Sequence, residues 1–267
     1  MNKLKILFLI FSSLILYSCR ADNQACDEPR QKSGRVIHVL VALCDNENQG
    51  IVPVPEAIGN GQNPGQNLYW GAGYGVRNYF DKKSKNWQLL KVIEDPQKHI
   101  LERLIFRHVS KDVYLIADAY DGAAIKQTVE DFLFASAGKL SVDVQLDDTL
   151  IRAGKCADLL AYVGHNGLMD FDIKKKIDPD LTHKRDVIAI ACYSKHYFNE
   201  YMKNYNVNPL VWSRGLMSAE AYTLKWAIDG WLKNETNEQI VNRARKAYNH
   251  YQKCGMTGAR NLLTTGF

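Results

Sequence analysis

Apolar residues in this chain fall into short unbroken runs separated by amphipathic stretches. Val36–Leu43, Val113–Ala117, Leu159–Val163 and Val187–Ala191 are the clearest runs, dominated by Val, Ile, Leu and Ala. Runs of this length, apolar on both faces, predict strands buried inside a parallel sheet. Leu210–Trp212 is a weaker fifth run, and Trp87–Val92 reads as an edge strand. Between the runs, Leu68–Phe80, Ala123–Ala137, Ser194–Met202, Ala219–Leu232 and Asn237–Tyr251 have helical spacing of apolar positions. Asp121-Gly122 precedes the second of these, which makes Asp121 its expected N-cap. Strands alternating with helices predict an α/β fold, a three-layer and mostly parallel sheet with helices on both faces. Gln49–Asn67 holds four Gly and three Pro and is expected to be a long loop. Loops of that length in a compact domain are often functional.

The first residues follow a different pattern. Lys3 and Lys5 precede the apolar stretch Ile6–Leu16, broken only by Ser12 and Ser13. A membrane-spanning helix needs about 20 apolar residues, so this stretch is too short. It ends at Leu16-Tyr17-Ser18-Cys19, which is similar to the lipobox of bacterial lipoproteins. The resemblance implies a signal peptide over residues 1–18, cleavage before Cys19, lipidation at Cys19, and a lipid-anchored protein of the bacterial cell envelope. An ordinary secretory signal is the alternative. Residues 19–34 are polar and read as a tether, and residues 35–267 as the folded domain.

Composition narrows the function classes. Apolar residues make up 46% of the 267, enough for a packed core. Lys and Arg number 34 against 29 Asp and Glu. Loss of Lys3 and Lys5 with the signal leaves (34 − 2) − 29 = +3. That charge is too weak to predict a nucleic-acid partner. Without Cys19, five cysteines remain: Cys26, Cys44, Cys156, Cys192 and Cys254. An odd number leaves at least one without a partner in the chain, and an exported protein is free to form disulfides. The sequence leaves the pairing open. No CxxC or His-rich spacing points to zinc, so neither a structural metal nor a cofactor is expected.

In an open parallel sheet, ligands sit beyond the carboxyl ends of the strands. The residues at those ends here are Cys44, Asp45, Asp118, Asp121, His165 and Cys192. His165 follows the third apolar run and Cys192 follows the fourth. Neighbouring strands lie about 4.8 Å apart, so the pair would straddle one substrate. A thiolate attacks a carbonyl while an imidazole manages the protons. A helix starting near Ser194 would set its positive end behind Cys192.

The runs Gly164-His165-Asn166-Gly167 and Ala191-Cys192-Tyr193-Ser194, each after an apolar strand, resemble the motifs of the caspase–legumain–gingipain superfamily of cysteine peptidases. The resemblance covers the order of elements from Val36 to Tyr251 and about twenty residues of motif. It implies a caspase-like sheet, Cys192 as nucleophile and His165 as general acid/base. It also implies an oxyanion site built from the Cys192 N–H and the glycine after the histidine. Here that glycine is Gly167, displaced by Asn166, whose own amide is an alternative donor. The superfamily relation further implies a peptide or protein substrate, with cleavage after a basic residue as one option. Metacaspase-like members carry an Asp two positions before the cysteine, where this chain has Ile190. Asp45 is then the expected acid for a basic side chain, Asp118 a second substrate contact, and Asp170 or Asp172 a match to an acid that follows the histidine in some members. A non-catalytic binding lipoprotein on the same fold is the competing reading, and an amidase acting on cell-wall peptides a third.

Three other features have plainer expectations. Tyr69, Trp70, Tyr74, Tyr79 and Phe80 are expected in the core, with a carbohydrate or peptide platform as the alternative. Lys174-Lys175-Lys176 is expected in a solvated loop. Gly71-Ala72-Gly73-Tyr74-Gly75 lacks the Lys-Ser/Thr ending of a phosphate loop and is not read as one.

Overall fold

Strand β1 (Arg35–Ala42) buries seven of its eight residues, which only a central position in a covered sheet allows. The computed structural model describes Cys26 and residues 34–267. The expected signal peptide, Cys19 and the rest of the tether lie outside the described residues. The further strands are β2 (Trp87–Gln97), β3 (Ile100–His108), β4 (Val113–Tyr120), β5 (Ser141–Leu146), β6 (Thr149–Gly154), β7 (Leu159–Val163), β8 (Arg185–Ile190), β9 (Val207–Ser213) and β10 (Leu263–Thr264). The helices are the short α1 (Val76–Asn78), then α2 (Ile125–Ser136), α3 (Ser194–Met202), α4 (Ala221–Trp231), α5 (Asn237–Gln252) and α6 (Gly255–Leu262).

Eight strands form one sheet in the order β10-β9-β8-β7-β1-β4-β3-β2. The five strands from β9 to β4 run parallel. The outer strands β3, β2 and β10 are antiparallel. Alternate side chains of β1 enter opposite cores. Ile37, Val39 and Val41 pack with α4 and α5, whereas Val36, Leu40 and Ala42 pack with α2 and α3. This is the three-layer, mostly parallel α/β arrangement expected from the sequence. The separate hairpin β5–β6 lies beside it, and Cys26 is disulfide-bonded to Cys156 just after β6.

The hairpin β5–β6 has no counterpart among the expected elements, and three further features depart from expectation. The stretch Leu68–Phe80 is not one helix. It runs in turns to Gly75, then makes α1 and a single π turn, Tyr79–Lys83. The glycines explain this: a side chain at Gly71 would meet the Gly65 carbonyl oxygen at 2.2 Å, and one at Gly75 would meet the Trp70 backbone at 2.3 Å. These residues are there for close backbone approach rather than helical pitch. Strand β3 was hidden because Glu102 and Arg103 break its apolar run. Both are nonetheless buried, Arg103 on Asp118 and Glu102 on Trp70 Nε1 and Arg77. The third departure is the C-terminal pair α6 and β10, which closes the far edge of the sheet against β9.

Candidate active site

Three neighbouring strands end alike. Cys44 lies two residues past β1, His165 two past β7 and Cys192 two past β8. All three residues line one cavity of about 280 Å³ at the carboxyl edge of the parallel strands. The register carries the match upward, since Val163 pairs with both Val41 and Ile190.

Local geometry after β7 follows from Gly164. Its φ is +137°, and a Cβ there would lie 2.5 Å from the Ala42 carbonyl oxygen, so the chain crosses tightly over β1 only as glycine. His165 then follows with its carbonyl accepting from the Tyr162 hydroxyl at 2.6 Å. Its Nε2 meets Asp170 Oδ2 at 2.6 Å. Asp170 Oδ2 also accepts from the Gly50 N–H at 3.3 Å, which ties the long loop to this group. Of the two acids considered beside the histidine, Asp170 is the one in contact.

The turn after β8 is held by a buried hydroxyl pair. Ser213 Oγ donates to the Ala191 carbonyl at 2.5 Å and accepts from the Ser194 N–H at 3.1 Å. Ser194 Oγ donates to the Ala189 carbonyl at 2.8 Å. Tyr193 adopts the left-handed region, with φ +48°. A bulky side chain there is uncommon, and such residues cluster at functional sites. The result is a sharp strand-to-helix turn that presents Cys192 two residues ahead of α3, where the helix N-terminus favours negative charge. Cys192 is half-buried. Its sulfur accepts from the Met217 N–H at 3.3 Å and donates to the Met217 carbonyl at 3.5 Å.

Asn67 fixes the third thiol. Its side chain accepts from the Cys44 N–H at 3.0 Å and donates to the Cys44 carbonyl at 2.8 Å. Burial, and then the neighbouring Asp45 carboxylate, push the Cys44 thiol up to about 11. Cys44 is therefore a neutral wall of the cavity. Cys44 and Cys192 follow strands separated by β7, hence about 9.6 Å apart by strand spacing. That exceeds the roughly 7 Å limit for a disulfide. Tyr69 completes the inner wall. Burial, and the nearby Cys44 and Cys192, raise its hydroxyl well above the ordinary value. It stays a hydrogen-bond donor.

Other expected site residues lie elsewhere. Asp118 is not at a strand end facing the cavity. It sits inside β4, fully buried, with both carboxylate oxygens on Arg103 (2.6 and 2.7 Å) and one on His38 Nε2 (3.0 Å). Asp45 is 2% exposed, and its carboxylate accepts from the Glu47 and Asn48 N–H groups and from the Asn48 and Gln62 amides. Burial opposes its charge, but these hydrogen bonds outweigh burial and hold its carboxyl below the usual range. It organises the long loop, and it does not line the cavity. Asn166 is fully buried. It caps the turn Gly167–Met169 and donates its amide to the Cys192 carbonyl at 2.7 Å, so that amide is committed to joining the two loops. Gly167 is likewise buried and off the cavity wall. Neither of the two expected oxyanion donors lines the cavity. Asp121 caps the short 3-10 turn Gly122–Ala124 that leads into α2, accepting from the Ala123 N–H at 2.9 Å, whereas α2 itself has Ala124 at its N-cap and no side-chain cap.

Sequence reasoning missed Tyr69, Asn67 and Met217. Asn67 closes the Gly- and Pro-rich loop, and that position was its only signal. Met217 works through its backbone and had none.

Among the described residues, no group of three or more His, Cys, Asp and Glu is placed to hold a metal ion. No helix among them is long and apolar enough to cross a membrane. Comparison with family models, curated proteins and solved structures finds no match.

Proposed function

We propose that the domain is a thiol hydrolase that cleaves peptide bonds through Cys192 and His165, and that Cys19 anchors it to a membrane of the bacterial cell envelope. One observation carries the catalytic reading. A cysteine and a histidine at the ends of adjacent parallel strands open into one cavity, with the histidine held by a carboxylate. The motif resemblance to the caspase–legumain–gingipain superfamily supports the same roles.

The chemistry follows from the atoms. With its proton shared with Asp170, Nε2 of His165 leaves Nδ1 as the nitrogen that exchanges protons with substrate. Nδ1 takes the Cys192 proton, and Sγ attacks the carbonyl carbon. The negative oxygen of the tetrahedral intermediate turns towards the backbone N–H of Cys192. The C–N bond breaks as His165 protonates the leaving amine. Water, deprotonated by His165, then hydrolyses the thioester and restores the thiol.

A second reading, a non-catalytic binding protein, draws on a specific observation: Cys192 Sγ bonds the Met217 backbone rather than His165. Iodoacetamide labelling between pH 5 and 8, mapped by mass spectrometry, separates the two. The hydrolase reading expects Cys192 to label at pH 6 and His165→Ala to slow it about tenfold or more. Cys44 should remain unlabelled at pH 8, because a thiol at about 11 holds almost no thiolate there. Labelling of Cys192 that is slow and indifferent to His165 would favour the binding protein.

A further inference from the structure

The geometry points to a substrate whose side chain next to the reacting carbonyl is aliphatic or otherwise uncharged and apolar. The inference rests on the hydrolase reading for the identity of the reacting carbonyl. Its basis, the chemistry of the cavity wall, is independent of that reading.

A site that selects a basic or acidic side chain needs a counter-ion at its wall, because burying an unpaired charge is costly. Among the described residues, the only titratable side chains lining this cavity are Cys44, Tyr69, His165 and Cys192. The first is a neutral thiol and the second a neutral phenol. The last two are the reacting pair. The acids nearby have other partners: Asp45 has four hydrogen-bond donors, Asp118 has Arg103 and His38, Asp170 Oδ2 has His165 and the Gly50 N–H, and Glu220, close enough to act on Tyr69, has the Tyr222 hydroxyl and the Gln252 amide. None of them lines the cavity.

Apolar groups face one another across the opening. Ile51, Val52 and Val54 project from the long loop, and Leu216 and Met217 from the segment between β9 and α4. Val52 is 87% exposed and Leu216 68% exposed. Large aliphatic side chains this open, at the mouth of a site holding a nucleophile, are what an apolar substrate side chain would cover. The loop is not a loose flap. Val54 is held through both backbone groups by Asn46, at 3.0 and 2.8 Å. Gln49 donates to the Leu43 and Gly122 carbonyls at 2.7 and 3.0 Å.

The test uses two readouts on the domain of residues 20–267. Calorimetry on Cys192→Ala measures binding of acetyl-tripeptide amides ending in Leu, Arg or Asp. Fluorogenic amides with the same three residues measure turnover by the wild type. Expected are binding and kcat/KM at least about tenfold higher for Leu than for Arg or Asp. Leu216→Asp, a rim change at a residue that the fold does not bury, should erode that preference and raise Arg turnover several-fold. Selective Leu binding without turnover would uphold the apolar site and remove the hydrolase reading. Cys192-dependent turnover favouring Arg or Asp would uphold the hydrolase and overturn the apolar site. Equal binding of all three peptides would overturn it as well.

Discussion

At the residue scale the decisive contact is His165 to Asp170, 2.6 Å between Nε2 and Oδ2. The carboxylate fixes which ring nitrogen carries the proton, so its role in the proposed reaction is positioning. Asp170→Asn would place an amide against Nε2, and an amide NH₂ facing Nε2 would favour the opposite tautomer. The expected outcome is a fall in kcat of tenfold or more with KM nearly unchanged, and a shifted pH–rate profile. Asp170→Glu should restore part of the loss. A purely structural role would instead lower the melting temperature and leave the pH profile of the remaining activity in place. Asp170 has its side chain 34% exposed, so large destabilisation is not expected from the substitution itself.

At the element scale, strand-end chemistry was legible and the loop chemistry was not. β7 and α3 match their expected spans, and the bounds of β1, β4 and β8 differ by only a few residues, because apolar runs report burial directly. That placed His165 and Cys192 correctly at adjacent strand ends. Asp45 and Asp118 show where the same logic fails. β4 runs on to Tyr120, so Asp118 lies inside the strand and not at its end, and for Asp45 position at a strand end does not say which partners the carboxylate has already found. Asp118 is taken up by Arg103 on the unrecognised β3, and Asp45 by the turn that follows it, Glu47 and Asn48, together with Gln62 in the long loop. The turn after β8 depends on Ser213, itself on β9. Ser213→Ala leaves the Ser194 N–H and the Ala191 carbonyl without this buried partner. Each such loss costs about 1–3 kcal/mol, so urea unfolding should show destabilisation of that order. Cys192 labelling should slow in the same variant. Unchanged stability would mean that the turn is held by backbone alone.

At the scale of the whole molecule, one buried ion pair joins three strands of the sheet. Asp118 on β4 holds Arg103 on β3 and His38 on β1, all three buried. Burial works against the Asp118 charge, but the hydrogen bonds from Arg103 and His38 outweigh it and hold the carboxyl below its ordinary value. A carboxylate depressed in the folded state contributes stability above its unfolded value of about 3.9, and that stability is lost as pH falls through the folded value. Asp118→Asn removes the charge while Arg103 stays buried, a change that costs about 3–5 kcal/mol at pH 7. The difference from the wild type should therefore be largest at neutral pH and shrink as both are acidified below pH 4, read from urea midpoints at each pH. Replacing both partners, Arg103→Met with Asp118→Leu, removes the orphaned charge and should recover much of the loss at pH 7. A gap that stays constant down to pH 2 would mean the carboxylate contributes packing rather than charge. In either case the ion pair lies inside the sheet and outside the cavity, so the proposed apolar preference should be the same in every variant that still folds.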